Sequence, residues 1–302
     1  MPFLGEIFAL SAAVCWSAAV ILYRKTGESV APLALNLFKN VLAVLLFSVT
    51  MIALGRAFVR DVPARDYAML FASGAIGIGL SDLFFFMTLN RVGAGLQAII
   101  TTTYSPSIIL LGVLFLGERM SLLQIAGVAM ILAAVGSITS MRGPAGGEPR
   151  RGLAAGIAFG LLATSTQAVS VVMVKPILND SPLLWANLWR LAGGLAASLA
   201  LWPMIPNRAR ALRSLRDRKV WRFMLPATVI GTYISLLFWL GGMKLTQIST
   251  ASVLNQTATL WTFLFAALFL REPVTWRRVA GLCAGACGVL LVTFGPWLSR
   301  GR

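Results

Sequence analysis

Apolar stretches of about 20 residues recur along almost the whole chain, and each is long enough to cross the roughly 30 Å of hydrocarbon in a bilayer. Of the 302 residues, 58% are hydrophobic and only 12% are charged, which is unlike the composition of a soluble domain. The sequence therefore predicts an all-α integral membrane protein whose core is a helix bundle in lipid.

These stretches predict ten transmembrane helices. They cover about Phe3 to Tyr23, Pro32 to Leu54, Tyr67 to Leu89, Gly95 to Leu116, Leu122 to Thr139, Leu153 to Val174, Leu183 to Trp202, Phe223 to Met243, Thr250 to Leu270 and Val279 to Trp297. Residues 141–151 are rich in Gly, Pro and Arg and predict a linker between two five-helix halves, residues 1–140 and 152–302. The basic stretch 208–222 predicts either a short amphipathic helix in the headgroup layer or a solvated loop.

The second half repeats the pattern of the first at a nearly constant spacing. The run Asn36-Leu37-Phe38-Lys39 returns 151 residues later as Asn187-Leu188-Trp189-Arg190, and Glu118 returns 154 residues later as Glu272. Because each copy holds an odd number of helices, the second copy enters the membrane in the opposite orientation, which gives inverted repeats. Inverted repeats are typical of secondary transporters, whose halves rock around a site near the midplane.

Two matching stretches carry a resemblance to a known family. Residues 106–118, PSIILLGVLFLGE, precede an apolar fifth helix, and residues 260–272 echo them. With its five-plus-five arrangement, the chain resembles the EamA-type branch of the drug/metabolite transporter (DMT) superfamily over essentially its whole length. The resemblance implies export or exchange of small metabolites, including amino acids, through a central cavity lined by helices one, three, four, six, eight and nine. It also implies a multi-pass protein of a bacterial-type cytoplasmic (inner) membrane.

Three ionisable residues lie inside predicted spans, namely Asp82, Lys39 and Arg190. An ionised Asp at the centre of a membrane helix costs about 2.5–3.5 kcal/mol on insertion scales, so Asp82 needs compensation. One interpretation is a structural ion pair of Asp82 with Lys39 or Arg190. The other is a site in the cavity for a substrate ammonium group or a proton. The two cations could instead bind a carboxylate or phosphate, for which the Arg fork is better suited.

Uncharged candidates for substrate binding occur in both halves. They are Tyr104 and Thr101 in helix four, Asn255 and Gln256 in helix nine, and also Gln167, Trp16, Phe86 and Tyr233. The alternative for such residues is a contact between helices or, for the aromatic ones, packing. The halves differ at the acid, because Ser235 stands 153 residues after Asp82. Any charge chemistry at this site would therefore be carried by the first half alone.

The composition argues against several other classes of protein. The net charge of +16 comes mainly from Arg and Lys in short loops, which favours lipid headgroups over nucleic acid as a partner. The chain has no His and no clustered carboxylates, so we expect no cofactor and no metal site, and a membrane-embedded enzyme is disfavoured. Without a Walker motif, transport would be driven by gradients. A passive channel is the second alternative.

The loop charges also bear on orientation. The loops after helices one, three, five, seven and nine hold twice as many Lys and Arg residues as the opposite side. The positive-inside rule then places both termini outside the cytoplasm, whereas the family resemblance implies the reverse. The expected partners are a small-molecule substrate, the lipid bilayer, and a proton or counter-substrate, with no nucleic acid. We expect a monomer or a weak homodimer.

Overall fold

The computed structural model describes residues 4–116, 122–139, 150–205, 207–245 and 254–300, and within these ranges the chain is helical with no β-strand. The α-helices are α1 (Leu4–Gly27), α2 (Pro32–Ala53), α3 (Ala64–Gly74), α4 (Ser81–Thr101), α5 (Tyr104–Leu116), α6 (Leu122–Thr139), α7 (Arg150–Asp180), α8 (Leu183–Leu201), α9 (Arg208–Arg216), α10 (Arg218–Thr228), α11 (Ser235–Leu245), α12 (Ala258–Phe269) and α13 (Trp276–Arg300). Two π-helical segments join α3 to α4 (Ala75–Leu80) and α10 to α11 (Val229–Ile234).

Five helical segments of the described chain are long and apolar enough to cross a membrane. They are Leu4–Gly27, Pro32–Ala53, Ala64–Thr101, Gly152–Val174 and Arg218–Trp239. Shorter apolar helices accompany them, such as Leu122–Val135. The prediction of an all-helical chain with repeated membrane spans is therefore confirmed, and the predicted positions of the first two helices agree with α1 and α2 to within a few residues at each end.

The chain reverses direction inside α4. Gly93 has a φ of 82°, a left-handed conformation that a residue without Cβ adopts readily. Thr88 and Ile100, which lie on either side of this turn, both contact α7 at Gly160. The two limbs of α4 therefore run alongside the same helix in opposite directions. This turn lies in the gap between the predicted helices that end at Leu89 and begin at Gly95.

A second break separates α4 from α5 just before Pro106. The hydroxyls of Thr102 and Thr103 donate to the carbonyls of Ile99 at 2.6 Å and Ile100 at 2.7 Å, which satisfies polar groups at the end of α4. Pro106 lies in the first turn of α5, where a missing backbone N–H is tolerated. The break thus divides the predicted helix from Gly95 to Leu116 at the turn before Pro106.

The two π-helical segments pack in the same way. Gly77 of the first segment contacts Ser170 and Gln167 of α7, and Gly231 of the second contacts Ala19 and Trp16 of α1. A Cβ at either glycine would overlap its neighbour, so close approach of the helices requires glycine there. Gly231 follows Gly77 by 154 residues, and Ser170 and Gln167 follow Ala19 and Trp16 by 151.

The boundaries of the second half differ in part from those predicted. Helix α7 already begins at Arg150, so residues 150 and 151 of the predicted linker are helical. The rest of the linker, Glu118, and the first residues of predicted helix nine, 250–253, lie outside the described residues. The basic stretch 208–222 forms α9 and the start of α10, with Asn207 capping α9 by accepting from the backbone N–H of Arg210 at 3.0 Å.

Candidate functional site

Asp82 and Lys39 form an ion pair between α4 and α2. Lys39 Nζ donates to Asp82 Oδ2 at 2.6 Å, and the two side chains are 3% and 24% exposed. A charge withdrawn from water requires such compensation. Of the two structural partners considered for Asp82, the structure selects Lys39.

The pair does not use all of the hydrogen-bonding capacity of Asp82. An ionised carboxylate offers about four acceptor sites on its two oxygens. Among the described residues, Asp82 has a hydrogen bond at Oδ2 only, and about a quarter of its side chain is accessible. Asp82 can thus neutralise Lys39 and still accept a further hydrogen bond.

Arg190 of α8 lies against α7 and has few partners. Its Nη2 donates to Ser170 Oγ at 3.2 Å, while its Nε is buried without a hydrogen bond. Tyr104 and Asp82 lie near enough to interact with it electrostatically. Within the described part of the chain, no carboxylate lies within 4.0 Å of this guanidinium. Arg190 therefore carries a buried positive charge without a directly bonded counter-ion.

The matched runs 36–39 and 187–190 have diverged in their contacts. Asn36 Nδ2 donates across to the carbonyl of Gly79 in the first π-helical segment at 2.8 Å. Asn187 Nδ2 instead donates within its own helix, to the Leu183 carbonyl at 2.9 Å. The same sequence pattern thus connects α2 to the first π-helical segment through Asn36, whereas Asn187 forms its hydrogen bond within α8.

The polar residues of helices four and nine meet near the break between α4 and α5. Gln256 Nε2 donates to Ser105 Oγ at 3.1 Å. Thr101 is bonded within its own helix, since it donates to the Gln97 carbonyl at 2.9 Å and accepts from Gln97 Nε2 at 3.2 Å. Tyr104 and Asn255 are half-buried, and they directly precede Ser105 and Gln256 in the sequence.

Gln167 has an unpaired acceptor. Among the described residues, its Oε1 is buried without a partner, and it lies beside Gly77. Ser170, one helical turn later, lies beside the same glycine. Ser170 is a functional candidate that the sequence did not single out. The sequence feature that could have identified Ser170 is its spacing of three residues from Gln167, which places both side chains on the same face of the helix.

The aromatic candidates separate into two groups. Trp16 contacts Phe85, which contacts Phe86, which in turn contacts Tyr23, with ring centroids 5.9, 5.7 and 5.0 Å apart. Tyr233 lies elsewhere: its hydroxyl is 2.6 Å from Thr50 Oγ1, and its ring packs edge-on against Phe47 of α2. Phe86 is fully buried, so in this conformation it packs the core.

Glu272 connects the end of α12 to the turn in α4. Its carboxylate accepts from the backbone N–H groups of Ala94 at 2.7 Å and Gly95 at 3.1 Å, and Arg278 lies 3.6 Å away. A carboxylate at the start of a helical limb satisfies free amides and interacts favourably with the helix dipole. The sequence had identified Glu272 as the counterpart of Glu118. Its contact with the distant residues Ala94 and Gly95 was not predictable from the local sequence pattern.

With this geometry established, comparison with known proteins adds the family. The profile of the EamA-like transporter family matches the chain twice, over residues 3–140 and 154–294. The chain belongs to the EamA-like transporter family. It is accordingly a multi-pass membrane transporter of a small-molecule substrate, and not an enzyme.

Relatives of this EamA-like protein carry transporter names. Two uncharacterised transporters of Archaeoglobus fulgidus are 22% and 23% identical, over 96% and 92% of this chain and 98% and 94% of their own. A probable terminal-alkyne amino-acid exporter of Streptantibioticus cattleyicolor is 28% identical over 80% of this chain and 78% of its own. A solved crystal structure covers 98% of both chains with a TM-score of 0.67 at 16% identity, which supports the fold.

Proposed function

We propose that this EamA-like protein is a secondary active transporter that exports or exchanges small metabolites by alternating access. In this proposal, residues 1–140 and 152–302 form two inverted five-helix repeats joined by residues 141–151. The substrate binds between them near the membrane midplane. The driving force is a gradient of protons or of a counter-substrate.

The observation that carries this proposal is a pair of reciprocal hydrogen bonds. Ser81 Oγ donates to the Ala163 carbonyl of α7 at 2.8 Å, and Ser235 Oγ donates to the Ala12 carbonyl of α1 at 3.0 Å. Each serine directly follows a π-helical segment and reaches into the opposite half. An axis that exchanges the halves maps one bond onto the other, as expected of inverted repeats.

This pairing changes the alignment of the halves at the acid. The two π-helical segments match at an offset of 154 residues, so Ser235 corresponds to Ser81 and not to Asp82 as the sequence spacing suggested. Leu236 then occupies the position of Asp82. The charge at this depth still comes from the first half alone.

The π-helical segments also offer a means of movement. Such segments interrupt the regular hydrogen bonding of a helix and often mark functional sites. Here they lie between α3 and α4 and between α10 and α11, at equivalent places in the two halves. In our proposal the halves rock by bending at these two segments, around contacts that each half makes in the same way.

We propose amino acids or related compounds as the substrate class. The name of the Streptantibioticus relative points to an amino acid, and Asp82, Lys39 and Arg190 are groups that complement ammonium and carboxylate ends. Tyr104, Thr101, Asn255, Gln256 and Gln167 would supply polar contacts, and Trp16, Phe86 and Tyr233 apolar walls that become accessible as the halves move. The proposed location is the cytoplasmic membrane of a bacterial-type cell, as a monomer or weak homodimer.

Purified protein in liposomes tests the function. Vesicles loaded with the twenty amino acids should release at least one of them unchanged, faster than protein-free vesicles, when a proton gradient or an external amino acid is supplied. Release that never saturates with concentration would favour a passive channel. Absence of release for every amino acid under both conditions would overturn the proposed substrate class.

A further inference from the structure

Among the described residues inside the bundle, the charges of Lys39, Asp82 and Arg190 do not cancel. The ion pairs of the described residues join Lys25 to Glu28, Lys39 to Asp82, and Arg278 to Glu272. Arg190 is left over, although a guanidinium has five N–H donors and an unpaired charge in the membrane interior is costly. This placement is expected when the missing anion is supplied by a ligand.

Ser170 fixes the guanidinium in place without neutralising it. Its hydroxyl proton is used in a 2.7 Å hydrogen bond to the Ser73 carbonyl, so toward Arg190 Nη2 it can only accept. Ser170 is itself fully buried, which holds Arg190 against the interior face of α7. The other guanidinium donors have no hydrogen-bond partner among the described residues and are therefore available to bind an anion.

Another unpaired polar atom, Gln167 Oε1, lies near Ser170. Gln167 is one turn before Ser170 on the same face of α7, and its Oε1 has no partner among the residues described. A Cβ placed at Gly77 would overlap Ser170 and lie 3.2 Å from Gln167 Oε1, so the two side chains converge on one point of the first π-helical segment. A buried polar atom without a partner requires an explanation, and a bound ligand is one such explanation.

The head group of an α-amino acid satisfies both groups at once. Its carboxylate accepts from a guanidinium, and its ammonium, on the adjacent carbon, donates to an amide oxygen. A simple carboxylic acid leaves Gln167 unpaired, and a simple amine leaves Arg190 unpaired. We propose that Arg190 binds the carboxylate of a zwitterionic amino acid and that Gln167 Oε1 accepts from its ammonium, an assignment that rests on the proposed transport function.

Both side chains retain some accessible surface, while the unpaired Nε and Oε1 are shielded. The substrate reaches these atoms when the adjoining π-helical segment moves. In this assignment, these two residues do not contact the side chain of the amino acid. Arg190 and Gln167 thus determine which head group is accepted, and specificity among amino acids arises elsewhere in the cavity.

Three solutes that share an unbranched five-carbon chain test the assignment. Norleucine carries both groups, hexanoate lacks the ammonium, and pentylamine lacks the carboxylate. Binding to purified protein is measured by the rise in melting temperature with concentration, because a ligand that binds only the folded state stabilises it. For wild type we expect norleucine to bind at least about 10-fold more tightly than hexanoate, and pentylamine not to bind.

The variants give opposite patterns. Gln167→Leu should weaken norleucine binding about 10-fold and leave hexanoate binding unchanged, whereas Arg190→Gln should weaken the binding of both solutes about 10- to 100-fold. Arg190→Lys should recover part of the affinity, since it keeps the charge but not the fork. Asn40→Leu is the matched control, because Asn40 also has a buried unpaired amide oxygen, Oδ1, but lies on α2 and donates to Ser198.

The outcomes separate this assignment from the proposed function. Unchanged norleucine affinity in Gln167→Leu, or in a folded Arg190→Gln protein, would contradict the assignment while vesicle release of amino acids still supports transport. The assignment is also contradicted if pentylamine binds as tightly as norleucine. If neither norleucine nor any of the twenty amino acids shifts the melting temperature or is released from vesicles, both proposals fail.

Discussion

Lys39 Nζ lies 2.6 Å from Asp82 Oδ2, and this buried contact joins α2 to the helix that begins directly after the first π-helical segment. The lysine is almost fully enclosed, while the aspartate remains partly accessible. The contact therefore joins an enclosed positive charge to a carboxylate that remains partly accessible.

Asp82→Asn should reduce transport at least about 10-fold while the protein still reaches the membrane. The change leaves Lys39 buried without a counter-ion, and breaking a buried pair costs about 3–5 kcal/mol. Flux into liposomes and thermal unfolding in detergent measure the two effects.

The double variant Lys39→Met/Asp82→Leu separates structure from mechanism. Replacing both charges by apolar groups of similar size is often near neutral for stability. We expect the double variant to regain the melting temperature of wild type and to remain inactive. Wild-type flux and substrate affinity in Asp82→Asn across the pH range would remove Asp82 from the mechanism.

Gly77→Ala and Gly231→Ala should each destabilise the protein. At both positions a Cβ would overlap atoms of the opposite half, namely Ser170 for Gly77 and Ala19 for Gly231. Overpacking of this kind costs about 1–3 kcal/mol. Melting temperatures measure the loss, and similar losses at the two sites are expected if the halves pack in the same way.

Gly55→Ala is the control for these two substitutions. Gly55 has a φ of 59°, but nothing lies within 4 Å of the position of its Cβ. The strain of a left-handed alanine is about 1 kcal/mol, and no helix contact is disturbed. If Gly77→Ala is less destabilising than Gly55→Ala, the close packing at the π-helical segment is not what requires glycine.

Glu272→Gln should loosen the start of the second limb of α4. The carboxylate caps the amides of Ala94 and Gly95, and loss of a capping interaction costs about 0.5–2 kcal/mol. Hydrogen exchange at these two amides should become faster. Glu28→Gln is the matched control, because Glu28 belongs to an exposed pair with Lys25 and such pairs contribute about 0–1 kcal/mol.

Helices α9 and α10 should bind anionic lipid. Arg208, Arg210, Arg213, Arg216, Arg218, Lys219 and Arg222 surround exposed Leu212 and Trp221, and each basic residue near an anionic surface contributes about 1 kcal/mol. In nanodiscs, phosphatidylglycerol should raise the melting temperature relative to phosphatidylcholine at low salt. Replacing Arg210, Arg213 and Arg216 with Gln should reduce that difference, and an unchanged difference would assign α9 to the aqueous phase.

Local chemistry made much of the fold predictable. Pro32 marks the start of α2, and Gly93 marks the turn in α4, because each residue has a restricted or unusual backbone preference. The need of Asp82 for a cation was also predictable, since an isolated charge is not tolerated in lipid. Each of these features depends on a single residue and its immediate surroundings.

Contacts between distant helices were not predictable. The sequence offered Lys39 and Arg190 as equal partners for Asp82, and only the packing of α2 against α4 decides between them. Ser170 gave no signal of its own, because an apolar helix surrounded by protein and lipid shows no clear polar face. The match of Ser235 to Ser81 has the same offset of 154 residues as Glu118 and Glu272, but only the π-helical segments favour this offset over 153 at the acid.

Counterflow in liposomes tests alternating access most directly. Vesicles holding the purified protein and a labelled amino acid that it releases are diluted into buffer with or without the same unlabelled amino acid. A transporter with one site between rocking halves should release label faster when external amino acid is present, and this acceleration should saturate. Release that is independent of external amino acid and linear in internal concentration would contradict the account.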